Sequence, residues 1–248
     1  MAEYVRLDAA GQRALLDRIV TRCAPQRGEP SPVVVFDLDG TLMDNRPRTV
    51  RILHELGQSW QSKEPQMAER LLAATPDKLA YLLSDSLAKL GVTRTDLVAE
   101  AEIFWRDRFF VDGYLKYDIE VPGAGPFARA CYDAGAVLVY FTGRDLPQMG
   151  VGSFASLRDL GFPIAVAGTE LVCKPDANMP DEAFKRMVGP SIARVGRVVA
   201  VFDNEPGNCN VLQAAYPDCD SVLVDTQHLP GAPPLSPGVH VVADFLRA

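Results

Sequence analysis

No apolar run in the sequence approaches the roughly 20 residues that a helix needs to cross a bilayer, and the first residues, Met1-Ala2-Glu3-Tyr4, lack the basic and then apolar layout of a secretion leader. The expectation is a soluble protein with no membrane partner. Cysteine is sparse and unpaired in pattern: the five, Cys23, Cys131, Cys173, Cys209 and Cys219, are odd in number and form no C-x-x-C motif. That excludes a disulfide scaffold as the organising principle and points to a reducing, cytoplasmic setting. The three histidines, His54, His228 and His240, are too scattered for a zinc site or a serine triad. Positive charge is also short, at 25 Lys and Arg against 32 Asp and Glu, a formal net charge of −7. General nucleic-acid binding is therefore not expected, since it needs concentrated Lys and Arg; a small anion requires only local positive charge. There is no internal repeat and no low-complexity segment. "GAGPFA" at 123–128 is not a dinucleotide fingerprint, because Pro126 occupies its turn, and "GVGSF" at 150–154 lacks the second glycine of a nucleophile elbow.

What remains is a chain of 248 residues, 48% hydrophobic, long enough for one α/β domain with an insertion. Five short apolar runs read as buried parallel strands: "VVVF" (33–36), "AVLVYF" (136–141), "IAVAG" (164–168), "RVVAVF" (197–202) and "SVLVD" (221–225). Between most of them lie helical stretches such as "PGAGPFARACYDAG", "PQMGVGSFASLRDLG" and "DEAFKRMVG", each with a glycine near its end. The alternation predicts an α/β fold with a doubly wound, Rossmann-like parallel sheet. "GVHVVADFL" near the end reads as an added edge strand.

Two stretches stand outside that alternation. Leu15, Leu16, Ile19, Val20 and Cys23 recur at helical spacing before the proline-rich "APQRGEPSP", giving an N-terminal helical extension over 1–30. A longer one separates the first strand from the second. There Leu79, Leu82, Leu83, Leu87 and Leu90 follow helical spacing, and Leu97, Ala101, Phe104, Trp105 and Phe109 begin a further helical face. The expected organisation is a core of 31–44 and 121–248 with a helical cap of 45–120, springing from the carboxyl edge of the sheet, where ligands of such folds sit.

The residues at that edge carry the chemistry. Strand one ends in Asp37-Leu38-Asp39-Gly40-Thr41, and alternation along an extended segment turns Asp37 and Asp39 to one pocket and Leu38 to the core. Two carboxylates so close repel unless a cation lies between them. Strand two ends in "FTGR", where the Thr142 hydroxyl and the backbone N–H groups beside Gly143 suit a phosphate oxygen. After strand three, "ELVCKPD" offers Lys174 as a point charge for converging carboxylates and a phosphoryl group. Strand four ends in "VFDNEPGNCN", with Asp203, Asn204, Glu205 and Asn208, oxygen ligands suited to a hard octahedral cation such as Mg²⁺.

In order, "DLDGT", "FTGR", "CKPD" and "FDNEPGN" resemble the four motifs of the haloacid dehalogenase-like hydrolase superfamily, over about residues 33–225. The resemblance implies that Asp37 is a nucleophile that forms an aspartyl-phosphate and that Asp39 is the general acid and base. It implies Mg²⁺ held by Asp37, the Asp39 backbone carbonyl and Asp203, with Thr142, Gly143 and Lys174 binding the phosphoryl group. A dehalogenase needs only the first aspartate, so Asp39 favours phosphoryl transfer. Arg46 or Arg48, near the start of the cap, is positioned to meet the substrate. The fourth motif departs from the usual form: Phe202 precedes the acid where a small residue is common, and Asn204 replaces a frequent second aspartate, which leaves Asn204 and Asn208 for supporting positions.

The implied function is a Mg²⁺-dependent phosphatase acting on a small phosphorylated metabolite. Alternatives on the same fold are a phosphomutase, for which the cap offers His54 and Lys63, and a non-catalytic binding or regulatory domain. The intact set Asp37, Asp39, Thr142, Lys174 and Asp203 argues against the last. Sugar phosphates, nucleotides and phosphorylated small acids all match the motifs equally, and nothing in the sequence sets an oligomeric state.

Overall fold

The computed structural model describes residues 4–247. Helix α1 (Ala9–Arg22) is started by the Asp8 carboxylate, which accepts the Gly11 N–H at 2.7 Å. It lays Leu15, Leu16 and Ile19 into the main core. Strand β1 (Pro32–Phe36) is buried along its whole length, as a continuous apolar run requires of a strand covered on both faces.

The chain then turns into β2 (Met43–Asp44) and an insertion of α2 (Arg46–Trp60), α3 (Pro65–Leu72), α4 (Leu83–Lys89) and α5 (Thr95–Phe109), returning through β3 (Ile119–Glu120). Strands β2 and β3 pair antiparallel, Met43 with Glu120 and Asp44 with Ile119, so both connections to the insertion run through one short ribbon. The insertion has its own core, built from Leu53, Leu56, Trp60, Leu71, Leu87 and Leu97. The remainder alternates: α6 (Ala124–Asp133), β4 (Val137–Asp145), α7 (Leu146–Asp159), β5 (Thr169–Lys174), α8 (Asp181–Val188), β6 (Arg197–Asp203), α9 (Pro206–Ala215), β7 (Asp220–Val224) and β8 (His240–Val242).

The main sheet has six strands in the order β5-β4-β1-β6-β7-β8, every pair parallel. This is the α/β doubly wound, Rossmann-like architecture. Alternation splits β1 between two cores: Val34 and Phe36 join Phe127, Tyr140, Phe202 and Phe245 on one face, and Val33 and Val35 join Phe141, Phe184 and Ile192 on the other. The strand order reverses at β1, with β4 on one side and β6 on the other. The carboxyl ends of these three central strands therefore open onto one crevice.

Two expectations from the sequence shift. The strand beside β4 is Thr169–Lys174, and Ile164–Gly168 is a loop in which Ala165 adopts a positive φ of 58°. Because β5 is an edge strand it is only half-buried, so it is less apolar than the run just before it. The leucine series from Leu79 is helical only from Leu83. Ser86 Oγ accepts the Ala80 N–H at 2.9 Å and bends the preceding residues into a loop. No helix among the described residues is long and apolar enough to cross a membrane.

Candidate active site at the carboxyl edge of the sheet

Asp37 follows β1 directly and extends its ladder, its N–H donating to the Phe202 carbonyl at 2.9 Å. The chain then reverses tightly: the Gly40 N–H reaches the Met43 carbonyl at 2.7 Å, and the Met43 N–H reaches the Leu38 carbonyl at 2.9 Å. Gly40 has a φ of +75°, and a Cβ there would meet the Asn204 side chain at 2.4 Å, so only glycine fits this turn. Leu38 is fully buried, and Asp37 and Asp39 both line one cavity of about 1020 Å³ between the sheet edge and the insertion.

Beneath Asp37 lies an ion cluster. The Lys185 ammonium donates to Asp37 Oδ1 at 2.7 Å and to Asp203 Oδ2, and all three side chains are buried. Asp203 Oδ1 accepts in addition from the Glu205 N–H at 2.9 Å and from Asn208 Nδ2 at 3.1 Å. The Thr41 hydroxyl donates to Asp37 Oδ2 at 3.3 Å, and Asn204 is anchored by donating to the Gln227 carbonyl at 2.6 Å. Burial, then the neighbouring Asp203 and Asp39 charges, push the Asp37 carboxyl up to about 7 against the pull of Lys185. Burial would lower the Lys185 pKa, but Asp203 and Asp37 more than offset it and hold the ammonium charged.

Asp39 belongs to a second cluster. Its Oδ2 accepts from Arg144 Nε at 2.7 Å, and its Oδ1 accepts from Arg144 Nη2 at 2.9 Å and from Arg48 Nη2 at 2.7 Å. Both guanidiniums also grip the buried Asp118, Arg48 through Nε at 2.8 Å and Nη2 at 2.7 Å, Arg144 through Nη2 at 2.8 Å. Burial alone would raise the Asp39 carboxyl; Arg144 and Arg48 outweigh it and hold the group well below the usual carboxylate range. Arg48 comes from the first turn of α2, Asp118 from just before β3 and Arg144 from the end of β4. The cluster thus ties the insertion to the sheet at its hinge ribbon.

Of the other residues singled out in the sequence, Thr142 is buried at the end of β4 and lines the cavity beside Gly143. A Cβ on Gly143 would meet the Asp181 carboxylate at 2.3 Å, so a side chain here would displace that carboxylate. Arg46 lines the cavity but is spent on its neighbour Asp44, at 2.8 and 2.7 Å. The structure corrects the expected position of Lys174. It reaches the cavity wall, yet its ammonium donates to Asp181 Oδ1 at 2.7 Å and to the Met179 carbonyl at 2.9 Å. The lysine between the carboxylates is Lys185. The reason is topological: β5 lies two strands from β1, whereas α8 packs against β4 and α9 and aims Lys185 under the sheet edge. The sequence carried a signal, since Lys185 follows Phe184 on the apolar side of a short helix, a place for a paired lysine only.

Among the described residues no group of three or more His, Cys, Asp or Glu side chains forms a metal cage. The donor set nevertheless suits a hard cation that takes few protein ligands and keeps waters. Asp37 and Asp203 share one lysine, which leaves the cluster one positive charge short.

No family model and no curated protein matches the sequence. Solved structures do. The chain is similar to a protein described as "Putative Phosphatase" from Clostridium difficile, with a TM-score of 0.53 at 17% identity over 81% of this chain and 88% of that one. It is similar to Protein Tyrosine Kinase A of Mycobacterium tuberculosis, with a TM-score of 0.52 at 17% identity over 87% and 94% of the two chains. A haloacid dehalogenase-like family protein of Streptococcus pneumoniae aligns with a TM-score of 0.44 at 12% identity, over 77% and 83%. The likeness is one of fold: the chain shares its α/β architecture with the Clostridium difficile and Mycobacterium tuberculosis structures.

Proposed function

We propose that the chain is a Mg²⁺-dependent phosphatase of the haloacid dehalogenase type, hydrolysing a small phosphorylated metabolite through an aspartyl-phosphate. One observation carries this reading: Asp37, Lys185 and Asp203 form a buried triad at the ends of β1 and β6, in the same cavity as Thr142 and Gly143. A carboxylate held by a buried ammonium beside the Thr142 hydroxyl and the Gly143 backbone fits what in-line attack on a phosphoryl group requires.

In this reading the Asp37 carboxylate attacks phosphorus, and the alcohol oxygen leaves with a proton. The Thr142 hydroxyl and the Gly143 N–H hold the non-bridging oxygens, and Lys185 fixes the Asp37 rotamer and offsets its charge. Asp37, Asp203 and the Asp39 carbonyl would hold Mg²⁺, which when bound supplies the missing positive charge. Asp39 serves as acid for the leaving oxygen and as base for the water that cleaves the aspartyl-phosphate. The Arg48 and Arg144 contacts keep it ionised, the state that the second step uses; for the first step it must take up a proton from solvent, which requires both guanidiniums to loosen their hold. Arg48 rides on the insertion, so movement of that segment, acting as a cap, is the natural release. Lys174 is paired with Asp181 in the cavity wall and touches neither Asp37 nor Asp203.

The test is phosphate release from a generic aryl phosphate, with Mg²⁺ and with chelator, by the native chain and by Asp37→Asn. Hydrolysis that needs both the metal and Asp37 supports the reading. Release that survives Asp37→Asn, or none from the native chain across a broad metabolite panel, rejects it.

A further inference from the structure

The cavity has two chemically different ends. The floor, at the strand ends, is ionic; the wall facing it comes from the insertion and is apolar. That wall is formed by the loop before α4, with Leu79, Tyr81 and Leu82, and by the end of α5, with Trp105, Phe109 and Phe110. Tyr81, Leu82 and Phe110, together with Ile119 at the hinge, remain 44%, 38%, 40% and 50% exposed, although the insertion buries many of its large apolar side chains in a core of its own. Large apolar groups left open around one concave site mark a surface made for an apolar occupant.

The aromatic corner is rigid before anything binds. Trp105 stacks on Phe109 with ring centroids 4.3 Å apart, and Phe110 stands edge-on to both at 5.5 and 5.0 Å. The single polar atom of the indole is already used, Nε1 donating to Thr49 Oγ1 at 3.1 Å. Arg48 supports Phe109 from one face at 4.2 Å. Such a corner offers ring surface at little entropic cost and has no hydrogen-bonding capacity to spare for sugar hydroxyls.

Charge narrows the choice further. Among the described residues the cations lining the cavity are Arg46, Arg144, Lys174 and Lys185, and each is paired with a carboxylate: Asp44, Asp39, Asp181 and Asp37. No unpaired cation faces the aromatic wall, while Glu120 and Asp244 add negative charge to the lining. A second anionic group on the substrate would therefore meet no partner.

We propose that the substrate is the monophosphate ester of a bulky, apolar, ring-bearing alcohol, with its ring against Tyr81, Trp105 and Phe110. Sugar phosphates, nucleotides and phosphorylated acids are disfavoured. The proposal rests on the phosphatase reading for the phosphate end and on the insertion wall for the rest.

Calorimetric titration of the native chain in Mg²⁺ with two non-hydrolysable probes, 1-naphthylmethylphosphonate and phosphonoacetate, tests it. The naphthyl probe is expected to bind at least about thirtyfold more tightly. Phe110→Ala, a change at a half-exposed ring that the fold tolerates, is expected to shrink that preference by about tenfold. Equal binding of the two probes, or a preference unaffected by Phe110→Ala, overturns the inference and leaves the phosphatase reading standing. Binding of neither overturns both.

Discussion

Lys185 donates to Asp37 at 2.7 Å across 148 residues of sequence, and by reaching Asp203 as well it fixes the geometry of the two carboxylates at the sheet edge. Lys174, the lysine suggested by sequence order, is held by Asp181 instead. The two lysines should therefore separate cleanly under mutation. Lys185→Met leaves two buried carboxylates without their partner, so a stability loss of about 3–5 kcal/mol is expected in urea unfolding, with phosphate release abolished. Lys174→Met removes a contact whose acidic partner is mostly exposed, so the unfolding midpoint should move little and kcat should persist. The reverse ranking would show that Lys174 holds the catalytic position.

The pH dependence of stability follows from Asp37. Burial first, then Asp203 and Asp39, raise its pKa to about 7 in the folded chain against Lys185, well above its value when unfolded. The folded state therefore binds this proton more tightly than the unfolded state does. The stabilisation is fully present below the ordinary aspartate pKa of about 4 and is lost as pH rises through about 7. In chelator, the urea midpoint of Asp37→Asn should fall less than that of the native chain between about pH 4.5 and 7.5. Parallel profiles would contradict the raised pKa.

Metal binding should show in stability independently of turnover. Mg²⁺ at a hundredfold excess over its dissociation constant is expected to add about 2.7 kcal/mol, seen as a raised Tm that chelator reverses. Asp203→Asn should abolish the increment. An equal rise in native and variant protein would place the ion elsewhere.

Arg48, Asp118, Arg144 and Asp39 should behave as one unit. Arg48→Met strips Asp118 of one of its two cationic partners in a fully buried site, which predicts a loss of about 3–5 kcal/mol. Adding Asp118→Leu removes the orphaned charge, so the double variant should be more stable than the sum of the single changes implies. Strict additivity in the cycle would mean that the two residues do not couple.

Much of the fold was legible in sequence because β1, β4, β6 and β7 are central, buried strands, and burial on both faces forces continuous apolar runs. The edge strand β5 escaped that criterion: it is half-buried, and the more apolar Ile164–Gly168 beside it is a loop. The leucines before α4 kept helical spacing without a helix, because a serine side chain bends the backbone there and turns Tyr81 and Leu82 to the cavity.

At the candidate site, Asp37, Asp39, Thr142, Gly143 and Asp203 could be placed together from the sequence because each lies near the carboxyl end of a strand, where the parallel register already brings residues to one edge. Strand ends are local facts. Lys185, Arg48 and Asp118 were not legible as site residues, since helices and connections deliver them and their reach depends on how α8, α2 and the hinge ribbon pack. Arg144 was visible at its strand end, but not as the partner of Asp39.

The sequence by itself determined the doubly wound sheet and the row of oxygen donors along its edge, because apolar runs and strand termini are set by neighbouring residues. The tertiary structure alone decided which lysine joins those donors, which guanidiniums hold Asp39, and that an aromatic wall faces the ionic floor. Those outcomes turn on contacts between segments far apart in the chain, whose geometry exists only once the insertion and the sheet have packed.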